Sequence, residues 1–434
     1  MDYSTKRRAP RTNRRDFCHT CLWLPAAPYL VRASVLGRGG QLPPSERIHT
    51  ALIGAGSRGQ QILAGGDRVV AVCDVDRQHR EAAKNRIDAA AGNQDCAAYL
   101  DYRHLLNRED VDAVVIATPD HWHVPMTAAA VRAGKAVFVE KPLSLFINEG
   151  RELAQLVQRY QAIVQVGSQQ RSFEYARFRR ACEWVRNGYL GQLRTVEVQI
   201  LARRGSDRPW QPQPVPEQLD YERWLGPAPW SPYHPARVHY HFRFVSDYSG
   251  GDLTNWGAHH LDIAQWGLGA DDSGPLHVVG QGRRNPSGLH DVFADIHVDY
   301  RFPGGVSLRL RSSEQAGTGS VRFIGSEGWI HVSREDFSSN PPSLLNARLG
   351  PRDLRLGPVE HQDSHMANWL RCVRNRDPRG LNCPVEIGHR SAVLCHLGNI
   401  AMERRIPLRW DPHQERFPED ELANRMCQRA ARPT

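Results

Sequence analysis

The chain has 434 residues, length enough for two domains of ordinary size, and its 40% hydrophobic and 24% charged content reads as soluble and globular. It contains no run of about 18 apolar residues, so no membrane-spanning helix is expected. The net charge of +9 invites a polyanion partner, but residues 1–46 carry eight Lys/Arg against three Asp/Glu, a net of +5 that leaves only +4 for the rest. A body that close to balance argues against a nucleic-acid partner.

Residues 1–46 read as a removable leader. The pair Arg14-Arg15 is followed by Phe17, a modestly apolar stretch from Cys18 to Val31, and small residues at Ala33 and Ser34. This resembles a twin-arginine export signal; the alternative is a basic tail. Of the nine cysteines, Cys18 and Cys21 fall in the leader. The other seven are widely spaced and read as buried free thiols rather than a zinc site.

From residue 47 to about 168, short apolar strands alternate with helices. "RIHTALIGAGSRGQQIL" runs from a strand through Gly54, Gly56, Ser57, Arg58 and Gly59 into a helix. Gly-x-Gly-x-x-Gly in that context forms a tight turn, a close approach for a pyrophosphate and a helix N-terminus to receive it. "RVVAVCDVD" supplies a second strand ending at Asp74, twenty residues after Gly54. A carboxylate there accepts from both ribose hydroxyls of NAD and repels the 2′-phosphate of NADP, although Arg77 nearby could still greet a phosphate. NAD is therefore the expected cofactor, with NADP the lesser alternative. Further alternation ("VDAVVIAT", "HWHVPMTAAAVRAG", "AVFVE", "EGRELAQLVQRY", "AIVQVG") implies a doubly wound parallel sheet, with ligands at the carboxyl ends of its strands. Two loops at those ends are chemically loaded: "TPDHWH" (118–123) and "EKPLS" (140–144).

From 169 to 434 the pattern changes. "FEYARFRRACEWVRNG" reads as helix and "QLRTVEVQILAR" as strand. Residues 203–235 hold eight prolines and read as a long ordered loop. "DVFADIHVDYRF", "GVSLRLRS" and "GWIHVS" alternate at period two, as in a mostly antiparallel sheet with one covered face. Helices are expected near 361–376 and 385–404. The fold class is thus α/β: an N-terminal Rossmann sheet plus a C-terminal α+β domain with an open, mostly antiparallel sheet.

With "GAGSRG", "TPDHWH", "EKP" and "GGDLTNWGAHHLDIAQWGLG" in place, the chain from about residue 47 resembles the glucose–fructose oxidoreductase / inositol dehydrogenase (Gfo/Idh/MocA) family. The tail "WDPHQERFPEDELANRM" and the "WLGPAPW" stretch look like a sub-branch found in exporting bacteria that degrade polysaccharides. The resemblance implies that Lys141 and His259 work on the reacting hydroxyl of a sugar, sugar acid or cyclitol. It implies that Thr118, Pro119, Glu140 and Lys141 border the cofactor, and that the open sheet pairs copies into dimers or tetramers. Asp120 stands where the family has Asn, and Asn255 where the family's catalytic aspartate stands.

Hydride transfer from a carbinol needs a base for the hydroxyl proton. Lys141, at the end of a buried strand, could supply it with a lowered pKa; the alternative is a structural lysine before a cis-Pro turn at Pro142. Asn255, His259 and Asp262 are spaced i, i+4 and i+7 and so share a helix face. That face reads as a sugar-binding wall, the alternative for His259 being a satisfied core histidine, and His260 reads as structural. Asp120 and His123 could touch ribose or substrate, or cap the next helix. Arg171 and Tyr240 are further candidates for the substrate cleft. His361 and His365 have metal-ligand spacing but no third partner, so no metal is expected.

An exported enzyme would have to carry NAD with it and regenerate it in place. This opens an alternative, an NAD-using glycosidase working by oxidation, elimination and re-reduction. A second alternative is a sugar-binding protein that keeps NAD without turnover.

Overall fold

The computed structural model describes residues 46–62, 68–172, 175–203, 205, 210–284, 288–357 and 363–429. The leader through Ser45, with Arg14 and Arg15, and His361 lie outside the described residues.

Six strands form the first sheet: β1 (His49–Ile53), β2 (Arg68–Cys73), β3 (Ala97–Tyr99), β4 (Ala113–Ile116), β5 (Ala136–Val139) and β6 (Val164–Val166). Every neighbouring pair is parallel, and the order is β3-β2-β1-β4-β5-β6. Crossovers run through α1 (Ser57–Ile62), α2 (Arg77–Ala91), α3 (Tyr102–Leu106), α4 (Asp120–Arg132) and α5 (Ile147–Tyr160). Valine, alanine and isoleucine fill both faces, as a sheet covered on both sides requires. The strand order reverses between β1 and β4, so a crevice opens beyond their carboxyl ends. The short β3 and α3 have too little apolar period to be read from sequence.

α6 (Ala176–Arg186) leads into the second sheet, which comprises β7 (Leu193–Leu201), β8 (His277–Arg283), β9 (Ala294–Arg301), β10 (Ser307–Ser313), β11 (Ser320–Gly325), β12 (Trp329–Ser333), β13 (Phe337–Asn340) and β14 (Leu408–Arg409). Its order is β13-β12-β11-β7-β10-β9-β8-β14, antiparallel except between β7 and β10. Val196, Val198 and Ile200 point inward with Leu308, Leu310, Val321 and Phe323, and Arg194, Gln199 and Arg309 point out. The covered face meets α8 (Asp252–Leu268) and α10 (Val385–Arg404). The packing is tight enough that a Cβ at Gly267 would sit 2.4 Å from the Phe323 ring. The seven body cysteines are buried free thiols.

Two arrangements tie the halves together. α9 (His365–Asn375) packs back on the first sheet, Trp369 meeting Phe138 edge-on at 5.8 Å. The proline-rich loop, which includes α7 (Tyr221–Leu225), reaches the end of β2. There Arg77 N–H donates to the Gln218 carbonyl at 2.8 Å and Asp220 N–H to that of Val75 at 3.0 Å. The loop has its own small core of Leu219, Tyr221, Trp224, Leu225, Tyr233 and Phe242. That core is why so many prolines form an ordered strap.

Candidate active site

A cleft of 1010 Å³ runs along the carboxyl ends of β1, β2, β4 and β5 and beneath the strap, and ends against α8. At one end lies the glycine turn. Gly54 has φ +91°, a conformation L side chains rarely adopt, and a Cβ there would strike the Ala117 backbone at 2.7 Å. A Cβ at Gly59 would come within 2.0 Å of the Gly54 carbonyl oxygen, so this glycine serves helix–strand packing. Gly56 faces open space on the cleft side, where a pyrophosphate needs room.

Asp74 closes the next position. Its carboxylate accepts from the Ala55 N–H at 2.7 Å and the Asp76 N–H at 2.8 Å, which pins the glycine turn to the end of β2. Burial pushes its carboxyl up, against those bonds and His79. Each oxygen keeps a lone pair for a ribose hydroxyl. Arg77 does not line the cleft. Thr118 Oγ1, at the far wall, is buried without a hydrogen-bond partner among the described residues. This arrangement of open glycine, carboxylate and waiting hydroxyl fits a dinucleotide. Sequence reading missed one cluster here: Asp76, His79 and His239 bring three possible ligand atoms within 4.8 Å of one another at the outer rim.

The other end holds the expected chemistry. Lys141 follows β5 and is joined to Pro142 by a cis peptide bond. Its Nζ donates to the Asn255 carbonyl at 3.0 Å and to Asn255 Oδ1 at 3.1 Å. Burial lowers its pKa to about 8, with the charges of Arg243 and Arg58 adding to the effect and Glu140 opposing it. Burial works against the charge of Glu140 too, yet Arg58 (Nε–Oε1 2.8 Å) and Lys141 hold its carboxyl below the ordinary value. Gln169 donates to the same oxygen at 3.0 Å. His259 lines the cleft beside Asn255 on α8. Burial, then the charges of Lys141 and Arg334, push its pKa well down, so it is neutral at pH 7. Its Nδ1 has no partner among the described residues. Asp120 lines the cleft as the first residue of α4 and accepts from Ser249 Oγ at 2.6 Å. Tyr240 stands at the exposed rim under the Arg243 guanidinium.

Three expectations need correction. Arg171 does not reach the cleft: it is buried in an ion pair with Asp262 (2.8 Å) that Asp271 extends (2.8 Å). Asp262 therefore sits in the core, and the polar face of α8 stops at His259: Asp262 keeps nearly the angle of Asn255 but lies about 10 Å farther along the helix axis, past the cleft. His123 is also buried, its Nδ1 at 2.6 Å from the Pro142 carbonyl and its Nε2 at 3.0 Å from that of Thr118. It braces the loop that carries Lys141 and touches no ligand space. His365 likewise spends both nitrogens, on Ser172 Oγ and the Val166 carbonyl. Arg243, Trp256 and Arg334 line the cleft as well. Sequence reading passed over Arg334, which sits in a turn with no motif around it.

Comparisons with known proteins agree with this architecture. Residues 48–168 match the Gfo/Idh/MocA model described as "Oxidoreductase family, NAD-binding Rossmann fold", and residues 203–434 match "Oxidoreductase family, C-terminal alpha/beta domain". Glycosyl hydrolase family 109 protein 2 of Shewanella sp. (strain ANA-3) is 40% identical over 131 residues, 27% of this chain and 28% of that protein. An alpha-N-acetylgalactosaminidase of Shewanella oneidensis is 36% identical over 132 residues, with the same coverage. The match thus spans little more than a quarter of these curated relatives. The WlbA dehydrogenase from Bordetella pertussis, solved with NADH and UDP-GlcNAcA, superposes with a TM-score of 0.60 at 16% identity, over 84% of this chain and 99% of that one.

Proposed function

The chain belongs to the Gfo/Idh/MocA oxidoreductase family, with its NAD-binding Rossmann domain, and from that premise we propose that it oxidises a hydroxyl of a sugar, sugar acid or cyclitol, with Lys141 as the base. The observation that carries this reading is the buried Lys141 amine, its pKa drawn down to about 8, facing His259 across the inner end of the cleft. NAD, when bound, supplies the hydride acceptor. The chain holds it through the Gly54–Gly59 turn, Asp74 and the Thr118–Pro119 wall. As the carbonyl forms, the hydroxyl proton passes to the Lys141 amine, which becomes an ammonium held by Asn255. His259, neutral and lining the cleft beside Asn255, orients the same hydroxyl. Glu140, already paired with Arg58, keeps positive charge in place and takes no proton.

The strap favours a cofactor that stays. Two backbone hydrogen bonds tie the strap to residues 75–77, next to Asp74, and its Leu219 and Trp224 line the cleft. A retained cofactor must be regenerated in place, which supports the second reading, an NAD-using glycosidase. The identity with glycosyl hydrolase family 109 relatives favours the same reading. Export through the leader, and assembly of dimers or tetramers through the exposed sheet face, belong to this proposal. Substituting Arg14 and Arg15 with Lys should leave the precursor in the cytoplasm.

The test is a single-turnover assay of the protein as purified, with mass spectrometry of the cofactor it releases. A sugar alone should change absorbance at 340 nm, and Lys141→Ala should slow that change about 10²-fold or more. Release of phenol from an aryl glycoside with no net change at 340 nm would identify the glycosidase. Full speed in Lys141→Ala would place the catalytic centre elsewhere.

A further inference from the structure

The inner half of the cleft is richer in positive charge than hydride transfer requires. Four cationic side chains line it, Arg58, Lys141, Arg243 and Arg334, against two carboxylates, Asp120 and Glu140. Glu140 is paired with Arg58 and accepts from Gln169, and Asp120, which accepts from the Ser249 hydroxyl, acts on Arg243 through its charge without reaching ion-pair distance. Arg58 is thereby accounted for, and Lys141 has its place in the chemistry. Arg243 and Arg334 are left over. Neither has a carboxylate within ion-pair distance among the described residues: Arg243 donates to the Tyr240 carbonyl at 3.1 Å and Arg334 to Gln170 Oε1 at 3.2 Å.

Room for the pyrophosphate lies at Gly56, whereas Arg334 is set at the reacting end, stacked on the ring of Trp256, the residue after Asn255 on α8. Arg334 is also built in. Its guanidinium lies over Tyr175 at 5.2 Å and over Trp256 at 5.3 Å, while Gln170 holds its Nε and Nη2. Trp256 lines the same wall and holds the guanidinium over its ring. A guanidinium fixed in a cleft wall with no carboxylate at ion-pair distance among the described residues is a donor that lacks an anion. Guanidinium suits this task because its planar fork matches two oxygens of one oxyanion. A half-buried cation without a partner is costly, so its counter-charge is expected from what binds.

Resting on the sugar-oxidising reading above, we infer that the substrate is an anionic sugar, its carboxylate or sulfate bound by Arg334, with Arg243 as the second cation. A neutral sugar would leave these donors facing hydroxyls only, which satisfy hydrogen bonds but not charge. The carboxylate of a hexuronate lies across the pyranose ring from hydroxyls that can be oxidised. One ring can therefore reach Arg334 with its anion and Lys141 with a hydroxyl.

The experiment uses matched pairs on the full-length protein with its cofactor: D-glucuronate against D-glucose, D-galacturonate against D-galactose, and D-glucose 6-sulfate as the sulfate arm. Calorimetry reads binding and absorbance at 340 nm reads turnover. At least one charged member should bind ten-fold or more tightly than its neutral parent, and the arm that wins identifies carboxylate or sulfate. Arg334→Gln should raise KM for that sugar about ten-fold and the neutral parent's KM by much less; Arg334→Lys should recover part of the loss. Equal binding of neutral and charged members, or one KM increase for both in Arg334→Gln, would overturn the inference while the oxidoreductase reading stood. Tight charged-sugar binding with no change at 340 nm would uphold the inference and remove the oxidoreductase reading instead.

Discussion

Asn255→Asp tests the centre of the mechanism with a change of one atom. Asn255 Oδ1 lies 3.1 Å from Lys141 Nζ, so the substitution puts a carboxylate oxygen on the lysine rather than on His259. Two unit charges at that distance attract by about 5 kcal/mol at an effective dielectric of about 20. Burying the new carboxylate takes back part of this, and opposite-charge neighbours shift a pKa by roughly 1 to 3 units. Lys141, at about 8 in the wild type, would then titrate between about 9 and 11. Oxidation needs the neutral amine. About one lysine in ten is neutral at pH 7 when the pKa is about 8, and each added unit removes another factor of about ten. The prediction is that kcat/KM for oxidation rises with pH through about 8 in the wild type. In Asn255→Asp the limb moves upward by one unit or more, with about a ten-fold or greater loss at pH 7 that recovers above pH 9. His259 is already neutral at pH 7, so its titration should contribute nothing to either curve above that pH. The assay is the pH–rate profile of both proteins side by side at 340 nm. Superimposable profiles, or an alkaline limb that moves downward, would show that Lys141 is not the base that titrates.

Asp74→Ser should raise affinity for NADP relative to NAD, measured by fluorescence titration of both reduced cofactors; unchanged preference would take Asp74 off the ribose. Arg171→Met should leave Asp262 buried without its cation and destabilise by about 3–5 kcal/mol, read as a fall in denaturation midpoint, with KM unmoved if the residue is structural as its ion pairs indicate. Acid should unfold the protein through its buried histidines. Burial draws His260, His365 and His396 down to about 4 and His121 to about 3, against about 6.5 in the unfolded chain. Between pH 6.5 and 4 the unfolded state holds more protons, so stability falls as pH drops and levels off below those folded values. A melting temperature that stays flat from pH 6.5 to 4.5 would contradict the neutral, buried assignment.

The Rossmann half was legible because its physics is local. Continuous apolar strands between amphipathic helices specify a parallel sheet, and the glycine turn marks where its ligand lies. The same reasoning found the helix near 361–376 but not what α9 packs against, Phe138 on a strand more than 200 residues away. Nothing in "HMANWLRCVRN" tells which surface its apolar stripe covers. β8 escaped because Gly280 and Gly282 break its alternation, glycines the structure needs where Met402 presses against the strand. The proline-rich segment was readable as an ordered loop, but its contact with residues 75–77 depends on tertiary packing.

The site divides along the same line. Asp74 was accessible because it ends a strand twenty residues after the glycine turn, whereas Lys141 and His259 were reached through the family resemblance carried by "EKP" and the glycine-flanked helix. Asp120 and His123, three residues apart, were indistinguishable by either route. Their roles separate only when the carbonyls of Pro142 and Thr118 consume both nitrogens of His123, while Asp120 keeps an edge in the cleft. Arg171 and Arg334 make the sharper contrast. Both are arginines near the same helix, and one is neutralised by Asp262 and Asp271 while the other has no carboxylate at ion-pair distance among the described residues. Sequence position says nothing about that difference, because it is decided by which carboxylates the second sheet and α8 bring near. A cation's role here follows from its missing counter-charge, and that can be seen only once the rest of the chain has been placed around it.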